Sequence, residues 1–311
     1  MFKKIALITL LIFTSKTYSQ GCSDAGMCSV GSMRSGEIDT SKFKFTLSYQ
    51  YGVGEQNVNI HNTSFEISGR INQRSSIQFK LPFISTHGNL GNISALGDPT
   101  LVYTRQMNEH GKVKLNTNLG LKFPLGSTRA GSVSMTSLSS TFAPNLPMPY
   151  QTGLGTFDLL LGADIKYKSY VFALGFQLPL IQNNGNSFDT SYVTEASPAK
   201  KYFSSSKLIR KPDLVARFDK GFVLNSKFRL QAGFVGIYHL AADQTVINGQ
   251  TKEIENSDGL TLNFSSGLEY NASKYLAVKL NFATPLMVRK VRPDGLTRHY
   301  VIGIDLKYTF Y

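Results

Sequence analysis

Chemistry in this chain could come from two cysteines, five histidines and a set of charged residues at alternating positions. Cys22 and Cys28 have five residues between them, a spacing that closes a small disulfide loop in an oxidising compartment. A structural metal would need more ligands nearby than Asp24, so no metal site is expected. A hydrolase on a lipid-facing wall would need a serine nucleophile beside a histidine base. His61, His87, His110, His239 and His299 are followed two positions on by Thr63, Asn89, Lys112, Ala241 and Val301. No His-x-Ser pair exists, and no catalytic residue or cofactor is assigned.

Charge is what remains. By parity Lys114, Lys122, Asp158, Asp164, Arg217 and Arg229 belong to the wet side of their segments, together with Asp213, Glu269, Lys279, Asp305 and Lys307, and Asp98 joins them as a candidate lumen residue from its glycine-flanked motif. Charges lining an interior either pair into networks that fill it or form a basic constriction that selects solutes. Asp98 and Asp158 stand beside glycines and are the first carboxylates to test, with turn capping through side-chain to backbone bonds as their simpler role.

The elements that position these charges are strands. Val113, Leu115, Leu119, Leu121, Phe123 and Leu125 alternate with polar residues, and the pattern repeats over 155–167 and 169–181. Runs of this length suit a tilted strand crossing a bilayer rather than a sandwich strand of about 5 to 6 residues. Twelve such strands are expected, at 43–51, 63–71, 75–83, 98–107, 112–125, 155–167, 169–181, 212–219, 227–240, 259–270, 274–288 and 298–311. Short turns alternate with long loops rich in Ser, Asn and Gly, the arrangement of a transmembrane antiparallel β-barrel with both termini on the short-turn side. The aromatic last strand, RHYVIGIDLKYTFY, is expected to close against the first and to be read by the barrel assembly machinery.

Targeting agrees. Lys3 and Lys4 precede the apolar run Ile5–Phe13, and Thr17-Tyr18-Ser19 offers a cleavage site, so residues 1–19 read as a signal peptide. Lipidation at Cys22 is the rival reading. Residues 20–42 form an irregular segment, a candidate plug, and 43–311 form the barrel. No later stretch reaches about 18 consecutive apolar residues, which excludes a helical span, and a mean hydropathy of −0.12 suits a barrel whose strands are half polar. The formal charge of +13 includes Lys3, Lys4 and Lys16 of the signal. Its export makes nucleic acid an unsuitable partner and points to outer-membrane lipid or lipopolysaccharide of a Gram-negative cell.

Pro82, Pro124, Pro179 and Pro285 each lie between apolar residues near the long-loop ends of outward-running strands. Proline cannot donate to a ladder, so these sites predict either kinks in the wall or the ends of pairing. A kink that opens the wall would let an apolar compound leave sideways into the membrane. The stretches SALGDPTLVYTRQM, KFPLGS and QTGLGTFDLLLGADIKYK resemble three motifs of the meta-pathway phenol-degradation outer-membrane proteins, a family similar to the long-chain fatty-acid transporter class. The resemblance covers roughly residues 75–182 and the last strand. It implies a transporter of small hydrophobic or amphipathic compounds with an N-terminal plug and a lateral exit. Twelve strands and the Cys22/Cys28 loop depart from the fatty-acid transporter pattern, so no ligand residue is carried over. The alternative is a structural or surface-interaction barrel with a closed lumen and partner-binding loops.

Overall fold

The computed structural model describes residues 42–108, 111–134, 138, 142–247, 249–295 and 298–310. The chain begins with β1 (Phe43–Gly54), β2 (Asn59–Asn72), β3 (Ser75–Gly88), β4 (Gly91–Leu96) and β5 (Thr100–Gln106). It continues through β6 (Val113–Lys122), β7 (Thr156–Tyr167), β8 (Tyr170–Gln182), β9 (Asp213–Val223) and β10 (Phe228–His239). A separate hairpin, β11 (Gln244–Ile247) with β12 (Gln250–Glu253), precedes β13 (Gly259–Asn271), β14 (Leu276–Met287) and β15 (Arg298–Phe310). Every wall strand is antiparallel to its neighbours. β15 closes on β1 from Phe43↔Phe310 to Val53↔Tyr300. Because β4 and β5 share one place beside β3, the closed barrel has twelve strand positions, the number the alternation predicts.

Parity does the sorting. Phe65, Ile67, Phe79, Leu119, Phe172, Leu174 and Leu280 point outward and are exposed, as side chains bathed in lipid must be. The alternate positions, among them Thr104, Asn116, Asp164 and Asp305, point inward and are buried. At the short-turn rim Lys168 lies over Tyr167, Lys274 over Tyr275 and Lys220 over both Tyr170 and Phe222. Lysine stems lying along aromatic rings are suited to the edge of the hydrocarbon, with the charge reaching toward headgroups.

Two departures from the expected strands have simple causes. β2 starts at Asn59 rather than 63, and β3 runs on to Gly88 and turns into β4. These added residues carry Asn59, His61, Ser85 and His87, because a wall projecting beyond the bilayer needs no apolar face. In contrast, β6 stops at Lys122, two residues before Pro124, which has no N–H to continue the ladder.

Candidate functional site

Three glycine-flanked segments converge on Asp98. Its carboxylate accepts from the backbone N–H of Gly126 at 2.9 Å and of Leu154 at 3.1 Å, and Lys122 Nζ stands 3.8 Å away. Gly126 and Gly153 touch backbone to backbone: a Cβ at Gly126 would lie 2.6 Å from Gly153 Cα, and one at Gly153 2.5 Å from Asp98 Oδ1. The Gly97-Asp98-Pro99 link, the end of β6 and the start of β7 are thus tied in one knot. Beside it the wall is interrupted. β3 pairs β5 as far as Lys80↔Thr100 and β4 from Phe83↔Leu96, so Leu81 and Pro82 have no ladder partner on that side, and Gly97 N–H reaches Pro82 O at 2.8 Å.

Next to the knot begins a polar ring at the outer end of the lumen. Lys122 Nζ lies 2.8 Å from Asp158 Oδ2, which also accepts from Gln177 Nε2 at 2.5 Å, and Asp158 is fully buried. One step inward the lumen wall turns apolar, with Val102, Leu160, Ala173, Val215, Val235 and Ile237 in one buried cluster. Toward the short-turn end polar pairs resume: Asp164 accepts from Asn116 at 2.7 Å and Asn118 at 3.0 Å, Arg217 pairs with Asp219, and Lys307 pairs with Glu269.

The outer mouth is roofed by the long connections. Phe188, from the segment between β8 and β9, packs with Val58 and Ile60 at β2, five strand positions away around the ring. Val133, Leu146 and Tyr150 of the β6–β7 connection join the same cluster. Tyr150 is fixed from three sides: its hydroxyl bonds Tyr202 at 3.1 Å and the Leu90 N–H at 3.2 Å, and its carbonyl accepts from Thr86 at 3.1 Å. Burial and the Tyr150 hydroxyl push the Tyr202 phenol upward, so it stays neutral.

On the opposite side the roof is held by charge. Arg210 Nη2 lies 2.9 Å from Asp213 Oδ2 of β9 and 2.8 Å from Asp294 Oδ2. Arg289 pairs with Asp294, donates to the Ser257 carbonyl at 2.6 Å and stands 3.8 Å from Asp243. His239, ending β10, contacts Asp213 Oδ1 through Nδ1 at 2.6 Å and Asp243 Oδ1 through Nε2 at 2.8 Å. Burial favours a neutral Asp294, but the Arg289 and Arg210 guanidiniums outweigh it and hold this carboxyl well below the usual range. A depressed carboxyl contributes stability above its unfolded pKa of about 3.9, stability that is lost only as pH falls through the lower folded value. Hydrogen exchange in residues 288–295 is therefore expected to stay slow down to about pH 4 after correction for intrinsic rates. Asp294→Asn should exchange faster at pH 7.

No family model and no curated protein sequence matches this chain. Solved structures do. An outer membrane channel from Pseudomonas putida F1 superposes with a TM-score of 0.60 at 14% identity, covering 88% of this chain and 97% of that one. The fold is that of an outer-membrane β-barrel. Looser likenesses in overall shape are the CymD monoaromatic hydrocarbon channel (TM-score 0.47, 10% identity, 94% of each chain) and the Ralstonia pickettii toluene transporter TbuX (0.43, 10%, 93% of this chain and 95% of that one).

Within this barrel the charged residues singled out by parity do not form one site. Asp98, Lys122 and Asp158 meet at the outer end. Asp164 belongs to a separate amide cluster, Arg217 pairs within β9, Lys114 lies opposite Lys166, and Arg229 lies opposite Glu269 near the inner rim. The prolines also divide. Leu180 beside Pro179 and Leu286 beside Pro285 are extra residues in the ladder, since Phe157↔Ile181 is followed by Asp158↔Pro179 and Leu262↔Met287 by Asn263↔Pro285. Pro124 lies past the end of β6, and Pro82 sits at the interruption beside the knot. Cys22, Cys28, the signal peptide and the plug segment fall outside the described residues. Parity could not find Arg210, Asp243, Arg289 and Asp294, which lie in connections with no periodicity; their one signal was charge, set among Ser and Asn before Arg210 and clustered with Lys290 and Arg292 around Arg289 and Asp294. The search for His-x-Ser also missed the reverse order: Ser85 and His87 bond at 3.0 Å on the outer face, and Ser85 bonds Ser94 at 2.6 Å. The ring beside His87 is His61, which bonds Tyr49, so this is a chain of surface polar groups without an acid to orient the base.

Proposed function

We propose that the barrel conducts small hydrophobic or amphipathic compounds through the outer membrane, admitting them at the roofed mouth and releasing them sideways through the wall. The observation that carries this reading is the apolar band of Val102, Leu160, Ala173, Val215, Val235 and Ile237 on the lumen side, directly inward of the polar ring. A channel for ions or sugars has no use for such a band, whereas a compound with an apolar body and one polar group would be matched by these side chains as they part, since here they are buried together. Its polar group would face Arg210 Nε and Nη1 and Asp158 Oδ1, buried atoms without a protein partner. The interruption at Leu81–Pro82 and the extra residues at Leu180 and Leu286 are the places where the wall parts most easily.

Replacement of Pro82 by Val restores a donor to the broken ladder. With the barrel folded, shown by an unchanged heat-dependent gel shift, Pro82→Val is expected to slow uptake of a labelled monoaromatic compound severalfold. Unchanged uptake would remove Pro82 from the path and direct the same test to Pro179→Val and Pro285→Val. The ordered roof, with its own apolar cluster, favours a second reading as a surface-interaction barrel. No conduction or uptake by any variant, including those with an opened roof, would leave that reading in place of transport.

A further inference from the structure

We infer that the roof is a proton-held latch, in which His239 ties Asp213 of the wall to Asp243 of the β10–β13 connection while the three groups share one extra proton. Both ring nitrogens lie at hydrogen-bond distance from carboxylate oxygens, 2.6 Å to Asp213 Oδ1 and 2.8 Å to Asp243 Oδ1. A neutral imidazole has a single N–H, so it would satisfy one carboxylate and set a bare lone pair against the other. The site is closed to solvent, with His239 1% exposed and Asp243 0%. The bridge therefore needs either an imidazolium or one protonated carboxyl, a proton that the separated groups would not hold in alkaline solution.

The surrounding charges connect this bridge to the rest of the roof. From the β8–β9 connection, Arg210 faces Asp213 and Asp294, and the Lys211 N–H donates to Asp243 Oδ1 at 2.9 Å. From the β14–β15 connection, Arg289 faces Asp243 and Asp294, with Arg292 behind it against the Arg289 carbonyl. From β7, Asp158 adds its field to Arg210. From β13, Gly259 pairs with His239 and brings no charge. Asp243 is also where the loops meet: its carbonyl accepts from Ile254, its N–H bonds Ser257, and the next residue, Gln244, bridges Ile209. Loss of the proton releases Asp243 and, with it, the contact that holds three connections together. The direction follows: the latch is closed at neutral pH and below, and it opens as the outer medium becomes alkaline.

Asp213→Asn separates this latch from ordinary loop packing. Its amide can donate to the bare Nδ1 of a neutral His239 while its oxygen still accepts from Arg210, so the bridge forms without the extra proton. The test is hydrogen exchange of the full barrel in lipid nanodiscs from pH 6 to 10, with intrinsic rates divided out and folding checked by the gel shift. For the wild type, residues 240–258 and 203–212 should lose at least an order of magnitude of protection as pH rises, while the β1, β2 and β15 amides keep theirs. Asp213→Asn should show no such step, and His239→Gln should be unprotected throughout. Wild-type protection that persists to pH 10, or an unchanged step in Asp213→Asn, overturns the inference. The latch does not require transport: loss of protection with no accompanying rise in current supports it and counts against the channel reading alone.

Discussion

Arg289→Ala should open the outer mouth of this barrel without unfolding its wall. Arg289 is 5% exposed and holds Asp294, the Ser257 carbonyl and the edge of Asp243. Removing one partner of a buried ion pair costs roughly 3–5 kcal/mol when the other charge is left uncompensated, and less where a second partner remains. Asp294 keeps Arg210, so the loss falls on the β14–β15 and β10–β13 connections rather than on the strands. In planar bilayers the variant should conduct more than the wild type at pH 7, and protease added from outside should cut within 240–258. Arg289→Met retains most of the packing of the stem and should behave alike, which assigns the effect to charge. A closed, protected roof in both variants would mean that the charge cluster is incidental to closure.

Asp98→Ala is expected to cost more of the fold. The substitution strands two N–H groups, those of half-buried Gly126 and buried Leu154; an unsatisfied buried group costs about 1–3 kcal/mol, and the exposed share of Gly126 lowers its part. It also removes one of the two carboxylates facing Lys122. Because the knot joins the β4–β5 link to the ends of β6 and β7, the change should loosen the 123–155 connection and lower the temperature at which the barrel loses its compact gel form. Asp98→Asn keeps one good acceptor and should fall between the alanine variant and the wild type. Gly153→Ala approaches the same knot from the other side, since its Cβ would meet both Asp98 and the Gly126 backbone. If all three variants matched the wild type in heat resistance, Asp98 would be a bystander and the convergence of the three glycine segments would have no energetic meaning.

The wall was legible in the sequence because lipid outside and water inside impose opposite demands on alternate residues. The run from Leu115 to Leu121 shows its outer and inner faces without any structure. The roof was not legible, for the reason that makes it a roof: Arg210, Asp243, Arg289 and Asp294 lie in connections whose contacts are made across the mouth, and no local period records a partner dozens of residues away. Asp98 stands between these cases. Its glycine neighbours mark a place where backbones approach closely, but the fact that 97–99, 124–126 and 152–155 approach one another appears only in three dimensions. The inner apolar band was hidden differently. Val215, Val235 and Ile237 share the parity of Asp213, Arg217 and Arg229, so their inward side could be read, but nothing local records that apolar residues on separate strands meet at one level of the lumen.

Passage of small apolar compounds through the roofed barrel is measured most directly as uptake of a labelled monoaromatic compound by vesicles. Three preparations are compared: vesicles without protein, with the wild-type barrel, and with Arg289→Ala. Uptake is expected to be faster with the wild type than with bare lipid, and faster again with the variant. Equal rates in all three, with the barrel shown to be folded and inserted, would contradict it.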